Sequence, residues 1–597
     1  MESTNPTGNY NQYPVYLGQW VNWSRGPVFG ATLTMTRANG NLLIAFTAFF
    51  VAFITPRVWR IICFILHRLY ASPEPRDALH YQRQVILRNS ASPEVSFWTF
   101  SQLLWAWRRR LPKRQDALVR VLPVLLCAVV CMCAFTLAGG FSSHVSTAIG
   151  NEVLLDGSNC AVRIPTFPLS PELDALKTRD LTRQLENAVN YAQQCYESDQ
   201  AIQGTSSMFD CNPFRVSKLP VDINKKAACP FNETICYSSD SNLVLDTGYI
   251  DSHTHLGINA PADERMLYRH VYSCAPLKTQ GYSLNHTSPR DGNLTSYYYG
   301  PIIKGSSSNR TSDPSWATFG TKRADEQYPQ KGGDPALGTY FKLNTKAHAE
   351  TLRSFTYNFT NEEFGSDFIP IPELSKPDGD VSIIFLVGNG VVTLGMNNDS
   401  WFRASVPLYQ MSGPQWTEKI YAYRPEEAAS PLACVGQHQY CRNTKDNCGQ
   451  LASDYDAIMS ALPVFNLSVA DWALTESNPA SWQARNSGKD RANRFKWFSM
   501  ILSNLPAHTA GTQIYMGGAG LLSQQTVING LQYESYQDQW KQDVIHWFST
   551  WLAVLQTAFV DAAGGVRLQA AELFSASYPP QDEYMQKMCY NQVTNHR

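Results

Sequence analysis

The chain has 597 residues, 44% of them hydrophobic and 17% charged, with a formal net charge of −1. That length exceeds one ordinary core and implies two to four domains, while the thinned charge fits a chain partly in lipid. A nucleic-acid partner would need a concentrated basic face, and the bulk of the chain lacks one: after Phe141 stand 35 of the 49 Lys/Arg but 45 of the 50 Asp/Glu.

Residues 1–40 form a short outer segment whose first 19 positions are polar and rich in Pro, Asn and Tyr, with no cleavable signal pattern. Leu42 to Ile54 is apolar but too short alone; continued through Pro56 to Leu66 it gives a first transmembrane span over 41–66. Pro56 should kink that helix or end it, and Arg57 and Arg60 would snorkel to the headgroups. Between Arg57 and Arg120 lie twelve basic and four acidic residues. Short basic loops stay cytosolic, so 67–118 is read as a cytosolic loop and the N-terminus as outside. Within it Val95 to Trp107 is aromatic-rich and leads into Arg108, Arg109, Arg110, Lys113 and Arg114. That pattern suits a segment on the anionic inner leaflet, or a small cytosolic hydrophobic contact. Val121 to Phe141 then runs 21 residues without a charge, enough to cross roughly 30 Å of hydrocarbon as a second span over 119–141. Pro123 sits in its first turn, where a missing N–H costs little.

Residues 142–597 are therefore expected as one large lumenal or extracellular part, on the plasma membrane or an endomembrane. Seven N-x-S/T sequons mark it, at Asn232, Asn285, Asn293, Asn309, Asn358, Asn398 and Asn466, and none falls in the basic loop. Asn22 also matches but lies near the first span and is set aside. Ten of the fourteen cysteines lie here too: Cys160, Cys195, Cys211, Cys229, Cys236, Cys274, Cys434, Cys441, Cys448 and Cys589. An even number in an oxidising compartment reads as a disulfide framework. Proximity favours Cys229–Cys236 and a pair within Cys434/Cys441/Cys448; Cys63, Cys127, Cys131 and Cys133 in the spans should stay thiols.

The outer part reads as α+β. Pro171 to Gln194 has a helical cadence of leucines, and Val381–Val387 with Val391–Met396 flank Gly388 and Gly390 as an expected hairpin. Residues 301–340, rich in Gly, Ser, Pro and Asp, are an expected exposed loop and candidate lobe boundary. Val544 to Val560 carries an apolar stripe with His546, Ser549, Thr550, Gln556 and Thr557 opposite, which predicts an amphipathic core or groove helix.

Chemical motifs are sparse. In Asp251-Ser-His253-Thr-His255, a strand would point both histidines the same way, the arrangement that opens a metal site in the amidohydrolase superfamily. No βα alternation follows to supply further ligands, so an ordinary strand or turn is the favoured reading. Gly388 to Gly390 lacks the remainder of a dinucleotide loop, and Gly517-Gly518-Ala-Gly520 lacks the Lys-Ser/Thr of a phosphate loop. There is no Gly-x-Ser-x-Gly or His-Glu-x-x-His, and the carboxylate pairs Glu362/Glu363 and Glu426/Glu427 read as solvated. No catalytic residue or cofactor is assigned.

Three stretches resemble a family of uncharacterised filamentous-fungal membrane proteins with a large Cys-containing, glycosylated outer domain. The first is Trp20-Val-Asn22-Trp23-Ser24-Arg-Gly26 with Gly30, Leu33-Thr34 and Trp59-Arg60-Ile61. The second is Leu245 through Asp251-Ser252, then Leu256-Gly257-Ile-Asn259-Ala-Pro261, Arg265, Tyr268-Arg269 and Cys274-Ala-Pro276. The third is Leu432-Ala-Cys434, Gln437, Gln439-Tyr440-Cys441 and Cys448. The family pattern implies a further span shortly after Cys589, which the sequence to Arg597 does not contain, so the span count stays open. The resemblance also implies an occasional association with secondary-metabolite pathways. The expected function is a membrane-anchored glycoprotein of the fungal secretory pathway or cell surface, partnered by the lipid bilayer. The alternative is a membrane-tethered tailoring enzyme acting on a lipophilic small molecule.

Overall fold

A computed structural model describes residues 15–107, 117–141, 152–163, 171–196, 211, 214–288, 292–300 and most of 351–594, with short strands at 317–320 and 340–342. Within 351–594, the segments 358–365, 412–419, 470–489, 506–520, 534–536 and 565–576 and a few single positions lie outside the described residues. The chain divides into two compact units, residues 17–20 with 32–152, and residues 1–16, 21–31 and 153–597.

The first unit is helical. Helix α1 (Arg37–Leu69) starts at a Thr36 cap that accepts from the Asn39 N–H, and it runs unbroken through Pro56. Pro56 therefore neither ends the helix nor opens a separate segment. Two shorter helices follow, α2 (Ala78–Asn89) and α3 (Pro93–Trp107), and then α4 (Ala117–Gly140). At about 1.5 Å per residue, α1 and α4 are both long enough to cross a bilayer, with mean hydropathies of 1.9 and 2.6 over their most apolar stretches. Only 17% of either stretch is buried. Phe46, Phe49, Phe50 and Phe53 face outward on α1, as do Leu126, Val130 and Leu137 on α4. A water-soluble core helix would cover such residues.

The basic stretch between these helices is not a simple loop. Phe100 and Leu103 of α3 pack with Trp59 and Cys63 of α1 and Val121, Val124 and Ala128 of α4. The Trp59 indole donates to Ser96 Oγ at 2.6 Å. The Arg120 guanidinium grips Asp77 with contacts of 2.5 and 2.7 Å, and Arg83 donates to the Arg120 carbonyl while stacking on Tyr70. Trp98 and Trp105 remain exposed on the outer face of α3.

The larger unit is a mixed helix and sheet domain. Its spine is an antiparallel sheet built from β1 (Asp222–Ala227), β2 (Asn242–Asp246), β3 (Ile250–Asp251), β4 (Met266–Pro276), β5 (Thr351–Tyr357), β6 (Asp380–Val387) and β7 (Ser430–Arg442). The order across it is β5-β6-β7-β4-β2-β1, with β3 also on β4. The alternation of strand side chains feeds two cores. Ile383, Phe385, Val387, Ala433 and Val435 face a smaller core with Tyr297, Tyr299 and Phe368. Ile384, Leu386, Leu432, Tyr268 and Tyr272 face the main one, shared with the helices. Cys274 and Cys434 sit opposite each other in the β4–β7 register and are joined by a disulfide.

Beside the single turn Gly26–Phe29, the α-helices of this unit among the described residues are α5 (Pro171–Tyr191), α6 (Asp454–Ala461), α7 (Asp490–Ser503), α8 (Gln539–Gly564) and α9 (Glu583–Met588). Helix α5 follows the leucine cadence. Helix α8 covers the charge-free stretch at 544–560 but is not amphipathic in its setting. His546, Ser549, Thr550 and Gln556 are as buried as Trp547, Phe548 and Trp551. Its aromatic face stacks on His270 and Tyr272 of β4, while Gln556 donates to the Val216 carbonyl and accepts from Tyr196. A helix buried all round needs its polar groups satisfied inside the protein.

The expected hairpin at Gly388 to Gly390 does not form. Gly390 takes a left-handed turn, but β6 pairs β5 and β7, whereas Val392–Leu394 joins a separate five-stranded sheet beside Ile420–Pro425 and Leu531–Gln532. The turn signal is local; the partners come from elsewhere in the chain. In the stretch expected as an exposed loop, Ala317–Gly320 is a strand paired with Gly292–Tyr297, and most of the rest of 301–340 lies outside the described residues.

All ten cysteines after Phe141 are paired: Cys160–Cys589, Cys195–Cys211, Cys229–Cys236, Cys274–Cys434 and Cys441–Cys448. Cys63, Cys127, Cys131 and Cys133 are thiols.

Candidate functional site

The residues with most to offer converge where the N-terminal stretch enters the larger unit. Asn22 starts a tight excursion: its N–H donates to the Gly30 carbonyl and its own carbonyl accepts from Arg25 N–H. A side chain at position 30 would strike the Asn22 carbonyl oxygen. Asn22 is buried, and its Oδ1 accepts from Ser24 N–H at 3.0 Å and from Gln592 Nε2 at 3.2 Å. Asn259 completes the clasp. Its Nδ2 donates to the Val21 carbonyl at 2.7 Å, and its Oδ1 accepts from Trp23 N–H and from Gln592 Nε2. Three amides far apart in sequence thus pair with one another and with the backbone, the Gln592 amide through its Nε2 alone.

The loop after β3 supplies the histidines. The Asp251 carboxylate accepts from the His253 and Thr254 N–H groups at 2.7 and 2.8 Å, which turns the chain out of the strand. The premise that 251–255 continues as a strand is therefore overturned, and with it the shared direction of the two imidazoles. His255 Nδ1 accepts from Asp251 N–H, whereas His253 Nε2 lies 2.9 Å from Ser24 Oγ. Among the described residues no group of three metal-ligating side chains exists.

His253 is fully buried, with Nδ1 3.0 Å from the Ile258 carbonyl and 3.3 Å from the Ala260 N–H. The shorter Ile258 contact calls for the proton on Nδ1, which leaves a lone pair on Nε2 facing the Ser24 hydroxyl, whereas the longer Ala260 contact, with its N–H donating to Nδ1, calls for the other tautomer. Arg215 donates to the same hydroxyl at 3.1 Å. Burial holds the imidazole below its usual value, helped by the charge of Arg265 and, less, of Arg215, and opposed by Ile258 and Asp251. Ser24 is exposed on the other side of this contact. An exposed alcohol, a neutral base and a carbonyl that orients the base are the elements of nucleophilic catalysis. Ser24 and His253 stand 229 positions apart, which no motif search along the chain would join.

A pH response follows. The folded pKa of His253 lies below the unfolded one, so the unfolded chain takes up the proton first and stability falls as pH drops through about 6.5. Buried Asp543, pushed up to about 7 by burial, acts in the opposite sense, as stability it withholds is regained on acidification. The informative quantity is thus a difference: His253→Asn should show a shallower acid loss of melting temperature than the parent. Equal slopes would remove His253 from the account.

The other sequence candidates are structural or lie elsewhere. Glu427 accepts from Thr279 and Tyr297, and Glu426 from Ser405, so this pair braces strands. Glu362, Glu363 and Gly517 to Gly520 lie outside the described residues. Asn232, Asn285, Asn398 and Asn466 are exposed; the side chain of Asn293, and Asn309 and Asn358 altogether, lie outside the described residues.

The class of protein these observations define is a disulfide-bonded mixed helix and sheet domain carried on a chain with two apolar helices of membrane length. No protein-family profile, curated protein or solved structure matches it.

Proposed function

We propose that this is a membrane-anchored glycoprotein of the secretory pathway or cell surface, with its large domain and its N-terminal segment both on the non-cytosolic side. The observation that carries the reading is the burial of Asn22 against Asn259 and Gln592. Asn22 precedes α1, and Asn259 follows α4. A unit that folds with both must receive them on one side of a membrane, which an even number of crossings in between provides. The basic α1–α4 connection then falls on the cytosolic side, in keeping with the positive-inside rule. Five disulfides fit an oxidising compartment, and the exposed sequon asparagines fit glycosylation there.

Protease added to sealed microsomes should leave the disulfide-bonded domain intact and cut only within 67–118. Digestion of the sequon-bearing part from outside would end this topology. Asn22 gives a second readout. Its amide is buried, so Asn22→Gln should leave the glycan mass unchanged, whereas Asn398→Gln should remove one glycan.

A second reading is favoured by the Ser24–His253 contact: a membrane-tethered tailoring enzyme acting on a lipophilic metabolite. Comparing metabolites of a deletion strain with its parent tests it. A lost product with an accumulated precursor supports the enzyme, and an unchanged profile counts against it.

A further inference from the structure

We propose that Ser24 is the nucleophile of a serine–histidine acyl-transfer site that takes a carboxylic ester, with His253 as general base and Arg215 beside the developing oxyanion. The inference deepens the enzymatic reading and rests on it. Its geometry is independent of any recognised motif: Ser24 Oγ lies 2.9 Å from His253 Nε2, and His253 Nδ1 lies 3.0 Å from the Ile258 carbonyl. A nucleophile, a base and a group that orients the base are thus in hydrogen-bond reach. The base sits at the floor of the contact with no exposed surface, while the alcohol is open to solvent. Rigidity comes from the clasp, since Asn22 Oδ1 holds the Ser24 N–H and Asn259 Oδ1 holds the Trp23 N–H.

The chemistry balances without an oxidant or metal. Ser24 Oγ attacks the ester carbonyl carbon as its proton passes to His253 Nε2, and the negative charge forms on the carbonyl oxygen beside the Arg215 guanidinium. Collapse breaks the bond to the leaving alkoxide, which takes the proton from His253. Water then repeats the sequence on the acyl-serine, releasing the acid and restoring Ser24. The Ile258 carbonyl accepts from Nδ1–H throughout and steadies the transient imidazolium. Asp251, close by, contributes charge in the same sense, whereas Arg265 and Arg215 oppose it. This base is therefore weaker than one backed by a carboxylate, and slow turnover of activated esters is the expected regime.

The test uses the full chain in detergent micelles and a fluorophosphonate probe, with the adduct mapped by peptide mass spectrometry. The expected result is a single adduct on Ser24, absent from Ser24→Ala, with a labelling rate that rises as His253 loses its proton. His253→Gln should lower that rate by about 10²- to 10⁴-fold. Arg215→Ala should lower kcat for a p-nitrophenyl ester more than it raises KM, and Arg215→Lys should recover part of it. Ser24→Ala alters an exposed side chain, so an unchanged melting temperature separates lost chemistry from lost fold. No adduct on Ser24 in the folded parent chain, or equal labelling of folded His253→Gln, would overturn the proposal. A metabolite change in the deletion strain together with an unlabelled Ser24 would keep the enzymatic reading and remove only this nucleophile.

Discussion

Replacing Cys160 and Cys589 together with serine is expected to lower the stability of the larger unit by about 3–5 kcal/mol. The bond closes a sequence separation of 429, nearly the whole unit, and restricts the unfolded chain more than the other pairs do, by about 0.9 kcal/mol over Cys274–Cys434 with its separation of 160. It also fixes local geometry. Gly157 lies against Cys589, leaving no room for a side chain, and Gln586 donates to the Gly157 carbonyl. Beyond the cysteine, the Asn591 carbonyl accepts from Leu155 N–H, and Gln592 reaches the buried amides of Asn22 and Asn259. Loss of the bond should therefore release the clasp as well as the chain end. The comparison is the Cys229→Ser, Cys236→Ser pair, which opens a separation of only 7. By loop-closure entropy its cost should be roughly 3.5 kcal/mol smaller. Denaturant unfolding of both variants without reductant measures the difference. Equal costs would mean that closure of the long loop does not carry the effect.

Gly257→Ala is expected to cost about 3 kcal/mol, well above what its small size suggests. Two terms combine. Position 257 has a φ of +80°, where a side chain costs about 1–2 kcal/mol. A β-carbon there would also lie 2.5 Å from the Gln592 carbonyl oxygen and 2.7 Å from Asn591 Oδ1. Neither is free to retreat: Gln592 N–H donates to the Gly257 carbonyl at 2.6 Å, and the Asn591 amide to the Leu256 carbonyl. The control is built into the fold. Gly281 has a φ of +89° with nothing near its missing side chain, so Gly281→Ala should show the backbone term alone. If both substitutions shift the melting temperature equally, the close packing of the 256–259 loop on 590–592 contributes nothing. If Gly257→Ala is worse, fluorophosphonate labelling of Ser24 should fall with it, because the same loop carries His253.

Some of this protein was legible along the chain because the relevant physics is local. The apolar runs that became α1 and α4 announce themselves by length and absence of charge, and the leucine spacing of α5 by its period. Short cysteine spacings named Cys229–Cys236 in advance, and limited the region 434–448 to one local pair. Other features only the tertiary structure decided. Whether β6 would pair across Gly388 to Gly390 depended on β5 and β7, which outcompete a three-residue strand for its edges. Whether α8 would show a polar face to water depended on what packs behind it, here Val216 and Tyr196. The histidines looked like metal ligands only while 251–255 was taken as extended, and one Asp251 carboxylate capturing two N–H groups was enough to turn them apart. Asn22, Ser24, His253, Asn259 and Gln592 meet because antiparallel pairing and a disulfide spanning 429 positions bring the two chain ends to one loop. Periodicity and composition act over a few residues, whereas the partner of a buried polar group is set by whichever distant segment the packed core leaves beside it.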